Sequence, residues 1–360
     1  MTFNRRFRQN SRLVALLTLL LLTTVATVSA WDRESAKIFS LLPAGSPGPE
    51  GLTVGDDGNV YVATFGFTAT TGVTTPGLLF TFSPEGNLIR QVTVQGASPN
   101  LLGIAFLPGT QKLLALDCAA NAPTVTPKVL EVDPRTGESS VFMTFNTATV
   151  RPCPNGVTFD KSNNVYVSDS FGGIIWTTGP AGGDATVWAS DATLLTPAPK
   201  VGVPPFGANG IEFNHSGNAM FVANTANDAL IKIPVNSDGS AGAITTFVYS
   251  INGADGITID SDDNIWVAAN QEDEIVVVDP TGKVIAKLGD FNGLDRDGVP
   301  RGLLFPASLA FSKDGQFLYV TNLALNLNIF GFNAIDSAWC AQVERYIVSR
   351  IPARIPRLHP

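Results

Sequence analysis

Apolar and polar residues alternate along the chain in a pattern that returns about every fifty residues. The stretch PEGLTVGDDGNVYVAT (49–64) comes back as PNGVTFDKSNNVYVSD (154–169), ANGIEFNHSGNAMFVAN (208–224) and ADGITIDSDDNIWVAAN (254–270). Looser copies stand at 101–117 and 307–322. Each copy opens with a short apolar run, followed by a turn of Asp, Gly, Asn, Ser or Lys such as GDDGN or DKSNN. A β-branched and aromatic run such as NVYVAT or NIWVAA comes next, then two further apolar runs punctuated by turns. Short strands at such regular intervals read as antiparallel sheet. Taking the residue that heads each copy, the units begin near 50, 102, 155, 209, 255 and 308, with spacings of 52, 53, 54, 46 and 53. Four strands per unit in six units predict an all-β fold, a six-bladed β-propeller of four-stranded antiparallel blades around a central channel. The ring could be closed by residues 341–350 or by the early segment AKIFSLL (36–42); some N-terminal contribution is expected, because joining the two ends within one blade removes an open edge.

The ends read differently. Residues 1–30 carry four arginines and no acid, then a continuous apolar run and the small residues Val28-Ser29-Ala30. This is the pattern of a secretory signal peptide, with an uncleaved anchor as the alternative. The propeller is assigned to 31–350, and 351–360 is read as a basic, Pro-rich tail. A secreted or periplasmic location follows, with no membrane association after cleavage. Four of the 23 basic residues and none of the 31 acids lie in 1–30, so the remainder carries a net charge of −12. A body that acidic, without a basic cluster, argues against nucleic acid as a partner. The arginines at 345, 350, 354 and 357 read as a solvated terminus.

The candidate chemistry lies at the heads of the repeats. In a propeller the first strand of each blade lines the channel, so equivalent positions converge on the axis. The heads are Glu50, Leu102, Asn155, Asn209, Asp255 and Ser308. Two carboxylates and two carboxamides form a cluster of hard oxygen ligands with a charge matched to a divalent cation. Oxygen-only ligation selects Ca²⁺, with Mg²⁺ or Mn²⁺ as further choices. The competing explanation is that Asn and Asp favour the turn before a strand; it accounts poorly for four polar heads at matched positions. Only two histidines are present, one in the turn NHSGN and one in the tail, so no Ser-His-Asp triad or HExxH motif can be built. GDDGN and DSDDN lack the full EF-hand pattern and read as hairpin turns. Asp295 and Asp297 read as a solvated loop, and Asn214-His215-Ser216 as a glycosylation sequon relevant only to a eukaryotic host. Of three cysteines, Cys118 and Cys153 fall at the channel mouth that holds the heads, on adjacent blades, and are the expected disulfide, leaving Cys340.

The order Glu, Asn, Asn, Asp, each followed by Gly on blades one, three, four and five, resembles the metal site of the gluconolactonase / senescence marker protein / luciferin-regenerating enzyme family (SMP-30-like). Diisopropylfluorophosphatase and the paraoxonases are more distantly similar. The resemblance spans the chain after residue 30 and implies a metal-dependent hydrolase acting on a small molecule, a lactone or related ester. It further implies Glu50, Asn209 and Asp255 as metal ligands, Asn155 as a fourth ligand or substrate contact, and Asp255 as the acid/base. Arg151 falls near a substrate-binding arginine of some members. The alternative is a propeller of the NHL type that binds a ligand or protein and performs no chemistry.

Overall fold

Six sheets surround one axis, and each is built mainly from one repeat; the second sheet also carries the short strand Gly183–Asp184 of the following repeat, parallel to its outer strand Ser139–Thr144. The computed structural model describes residues 33–146, 151–195, 206–332 and 334–355, all within the unit Arg33–Ile355. The expected signal peptide and residues 356–360 of the tail, Arg357 among them, lie outside the described residues. Blade 1 runs Pro49–Val54, Val60–Thr64, Leu78–Phe82 and Leu88–Thr93, in that order from the axis outward. Blades 2 to 5 repeat this order, their inner strands being Leu101–Phe106, Pro154–Phe159, Ala208–Phe213 and Ala254–Ile259. Every neighbouring pair within these four-strand blades is antiparallel.

Burial grades outward. The second strands of blades 1, 2, 3 and 5 are buried at every position, mostly by apolar residues, with Thr64, Asp117, Ser168 and Asp169 buried at or near their ends. The outer strand Leu88–Thr93 alternates between exposed and half-buried residues. The core is divided into wedges between blades. One holds Tyr166 and Ile175 of blade 3 against Ile211, Met220 and Val222 of blade 4. Others join blade 4 to 5, 5 to 6, 1 to 2 and 2 to 3, and the largest joins blade 6 to 1 beneath the loops of one face. A fully buried aliphatic or aromatic side chain contributes about 1.5–3 kcal/mol, so the wedges hold the ring together blade by blade.

Blade 6 is built from both ends of the chain. Its inner strands are Pro306–Phe311 and Phe317–Asn322, its third is Ile347–Pro352 and its outermost is Lys37–Leu41. Both candidate closing segments are therefore used. Arg345 and Arg350 are clips rather than a solvated tail, and the exposed Arg354 reaches back to the N-terminal segment. Arg345 donates to the carbonyl of Leu42 (3.1 Å), Arg350 lies 5.0 Å from the centre of the Phe317 ring, and Arg354 pairs with Glu34 at 2.5 Å. The Asp295 loop tips a hairpin of Phe291–Leu294 and Pro300–Gly302, the Asp295 carboxylate accepting from the backbone of Asp297 and Val299. Among the described residues, no helix is long and apolar enough to cross a membrane.

Candidate functional site

All six inner strands carry the same irregularity. The register with the second strand skips two residues, between Pro49 and Leu52 in blade 1 and between Ala208 and Ile211 in blade 4, with equivalents in the other blades. The two skipped residues are the head and the glycine behind it. The bulge turns each head toward the axis. The glycine is required because the inner strands nearly touch: a Cβ on Gly210 would lie 2.5 Å from the carbonyl oxygen of Asp255. Gly51, Gly103, Gly156 and Gly256 face the carbonyl of the next head in the same way. Register also corrects one assignment. In blade 6 the skipped pair is Ala307 and Ser308, so Ala307 is the sixth head and Ser308 occupies the glycine position.

The four polar heads come together. Glu50, Asn155, Asn209 and Asp255 are each 3–5 % exposed and line two cavities that meet at their level. Below them is a channel cavity of about 170 Å³ whose wall includes Thr53, Glu212 and Thr258. Above them is a smaller space of about 20 Å³, walled by Phe65, Leu102, Phe206, Phe305, Leu323 and Leu325.

A second ring, one position beyond the end of each second strand, sets the orientation of the heads. Asn155 Nδ2 donates to Ser170 Oγ (3.0 Å), and Ser170 Oγ donates to the carbonyl of Ala208 on the next blade (2.7 Å). Asn209 Nδ2 donates to Thr225 Oγ1 (2.8 Å), which donates to the carbonyl of Ala254 (2.8 Å). A hydroxyl whose proton is given to a carbonyl can only accept from the amide, so the amide must present its NH₂ group to it. Oδ1 of both asparagines is thereby turned away from the hydroxyl. Asp255 Oδ2 is held by Asn270 Nδ2 (3.0 Å), the equivalent residue of blade 5. The equivalent residue behind Glu50 is Phe65, which offers nothing. Glu50 Oε2 is buried without a hydrogen-bond partner.

Electrostatics follow from this geometry. Burial pushes the Glu50 carboxyl well above the usual carboxylate range, and the charge of Asp255 adds to it. Burial likewise raises Asp255, against the hydrogen bonds from Asn270 and Asn209. Two buried carboxylates that destabilise each other's charge, one with an orphaned oxygen, are what a cation would relieve. The donor set is all oxygen, which suits Ca²⁺ or Mg²⁺. Among the described residues no three His, Cys, Asp or Glu side chains come close enough to hold a metal. The ring offers two carboxylates, with the carboxamide oxygens of Asn155 and Asn209 as the further side-chain oxygens at the same level.

Arg151 does not join the site. Its guanidinium donates to the carbonyls of Ala119, Ala122, Pro123 and Val125, clamping the loop after Cys118. With its donors directed at backbone, Arg151 lines neither cavity, and a substrate-binding role is not supported. Cys118 and Cys153 are bonded to each other, and Cys340 is a buried free thiol. His215 pairs with Asp263 at 2.8 Å in an exposed turn, away from the heads. The residues that sequence reasoning missed are Ser170, Thr225 and Asn270. Each directly follows a second strand, and that constant offset was the available signal.

Fold and site together define a six-bladed propeller with a carboxylate–carboxamide ring across its channel. Residues 198–289 match the family described as the SMP-30/Gluconolactonase/LRE-like region, and the chain resembles that family. Lactonase drp35 of Staphylococcus haemolyticus (strain JCSC1435) is 26% identical over 141 residues, a match spanning 38% of this chain and 41% of the relative. Among solved structures, a luciferin-regenerating enzyme superposes with a TM-score of 0.60 at 14% identity, covering 86% of this chain and 92% of its own. A calcium-binding protein, regucalcin, from Agrobacterium tumefaciens gives 0.58 at 16% identity, covering 90% and 99%. These structures share the fold with this chain.

Proposed function

We propose that the protein is a divalent-metal-dependent hydrolase of lactones or related esters, with calcium held by Glu50, Asn155, Asn209 and Asp255. The observation that carries this reading is the buried, unpartnered Oε2 of Glu50 beside a second buried carboxylate. The likeness to a lactonase and the match to a gluconolactonase-type family support the reaction class. A bound divalent cation supplies polarisation of the substrate carbonyl and stabilisation of the oxyanion formed on it. The chain's own residues do the rest. The amides of Asn155 and Asn209 are fixed by Ser170 and Thr225, with Oδ1 turned away from the hydroxyls. Asp255, held by Asn270 at Oδ2 and also hydrogen-bonded by Asn209, takes the proton of the attacking water on its carboxylate and returns it to the leaving oxygen. The apolar wall above excludes bulk water from that exchange. Two features support an exported protein: the pattern of residues 1–30 and the Cys118–Cys153 disulfide, a bond that persists in oxidising compartments.

The test is calorimetric titration of the protein with CaCl₂, wild type beside Glu50→Gln, with a panel of lactones assayed in calcium and in chelator. Binding lost in the variant, with turnover only in calcium, is the expected result. Binding without turnover on any lactone or ester would favour the non-catalytic, NHL-like alternative. No binding by the wild type would sink the metal assignment.

A further inference from the structure

The wall above the heads has a chemistry of its own. Its sides are Phe65, Leu102, Phe206, Phe305, Leu323 and Leu325. The polar groups that reach it from outside the four heads are already engaged. Thr225 is fixed between Asn209 and Ala254, and Asn270 donates to Asp255 while its oxygen accepts from Gln271 at 3.1 Å. The apolar surface also continues outward. Phe65 packs against Phe67 at 5.0 Å and Phe206 at 6.4 Å between ring centres; Phe206 stacks on Phe171 at 5.6 Å, and Phe67 meets Phe330 at 4.9 Å. At the ends of this path, Phe171 and Phe330 are 36% and 42% exposed. A chain of aromatic rings thus leads from solvent to the carboxylate floor.

We infer that the substrate is a lactone or ester whose non-reacting part is an alkyl or aryl group, and not a polyhydroxylated sugar lactone. The inference rests on the hydrolase reading above and adds the class of substrate to it. The reacting carbonyl sits at the heads, and the tail lies against Phe65 and Phe206, which part to admit it because the resting space is only about 20 Å³. Among the described residues the only polar side chains in the wall besides the four heads are Thr225 and Asn270, each already bonded within the protein, against six apolar ones for a substrate hydroxyl to meet. Each hydroxyl forced against it without a partner weakens binding by roughly five- to a hundredfold. An added methylene on the tail gains about two- to fourfold.

The experiment uses the full protein with saturating calcium and two matched series. One is 2-alkylcyclopentanones from methyl to pentyl, which carry a ring carbonyl and no hydrolysable bond, titrated by calorimetry. The other is γ-lactones with the same alkyl groups, assayed for kcat/KM beside a sugar δ-lactone. Affinity and kcat/KM are expected to climb about two- to fourfold per methylene, with the sugar lactone at the bottom. Phe206→Asn and, separately, Leu325→Asn should flatten both slopes while leaving the melting temperature measurable as a check on folding. A flat ketone series, or a sugar lactone turned over better than pentyl lactone, overturns the inference and leaves the hydrolase standing. A rising ketone series without turnover of any lactone supports the apolar wall and sinks the hydrolase.

Discussion

Thr225 shows how one hydroxyl can set the chemistry of a site it does not itself supply. It accepts from Asn209 Nδ2 and donates to the carbonyl of Ala254, so it orients an amide and ties blade 4 to blade 5 at once. Thr225→Val keeps the shape and removes both bonds. Leaving a buried amide and a buried carbonyl unpaired costs about 1–3 kcal/mol for each group, and Asn209 is free to flip its amide. Calcium affinity in Thr225→Val is expected to fall at least tenfold by calorimetry, and Thr225→Ser is expected to restore it. If both variants lost stability equally and kept wild-type affinity, the hydroxyl would be a brace and nothing more. Glu50 makes the opposite case. Its neighbour at the equivalent position is Phe65, and among the described residues its Oε2 has no hydrogen-bond partner.

At the scale of the strand, the repeated glycine is a spacing device. Gly210 has no unusual backbone angle; its constraint is the Asp255 carbonyl 2.5 Å and the Ile257 nitrogen 2.7 Å from where a Cβ would stand. Gly210→Ala must push blade 4 from blade 5, and overpacking of that kind costs about 1–3 kcal/mol. Gly109 has a left-handed φ of +74° and open space around it, so Gly109→Ala should lose only the roughly 1 kcal/mol of backbone preference. Urea unfolding of the two variants is expected to rank Gly210→Ala well below Gly109→Ala. This frame of head and glycine was legible in the sequence because five blades spell it the same way. The sixth was misplaced by one residue, since Pro306-Ala307-Ser308 lacks the glycine that marks the bulge and the next polar residue looked like the head. Arg151 was drawn to the site by proximity along the chain, whereas its geometry belongs to the carbonyls of another loop. The ring of Ser170, Thr225 and Asn270 was hidden because a polar residue after a strand reads as an ordinary turn.

At the scale of the whole molecule, closure depends on contacts that no local pattern encodes. Lys37–Leu41 pairs with Ile347–Pro352 across almost the entire chain. Phe39 and Leu42 sit in the wedge between blades 6 and 1, where two such side chains contribute roughly 3–6 kcal/mol. A protein lacking residues 33–42 would lose that and expose a strand edge; it is expected to elute as aggregate and to melt without a cooperative transition. The ring also buries acid. Besides Glu50 and Asp255, burial pushes Glu212 in the channel up to about 7; burial and then the charge of Asp336 push Asp273 up to about 7; burial pushes Asp336 up to about 6. Each of these groups keeps its proton in the folded chain at pH values where the unfolded chain, with a carboxylate pKa near 4, has released it. The folded state then binds more protons, so stability is greatest below about pH 4 as far as these groups are concerned and falls as pH rises toward about 7. For Asp255, Glu212, Asp273 and Asp336 the loss is complete above that window. A divalent cation reverses the sense at Glu50 and Asp255, because it binds the deprotonated pair and competes with the protons. Melting temperatures in chelator should therefore fall between pH 5 and 8, and the increase produced by calcium should grow over the same interval. A calcium increment that is constant with pH would mean that the ion binds away from the buried carboxylates.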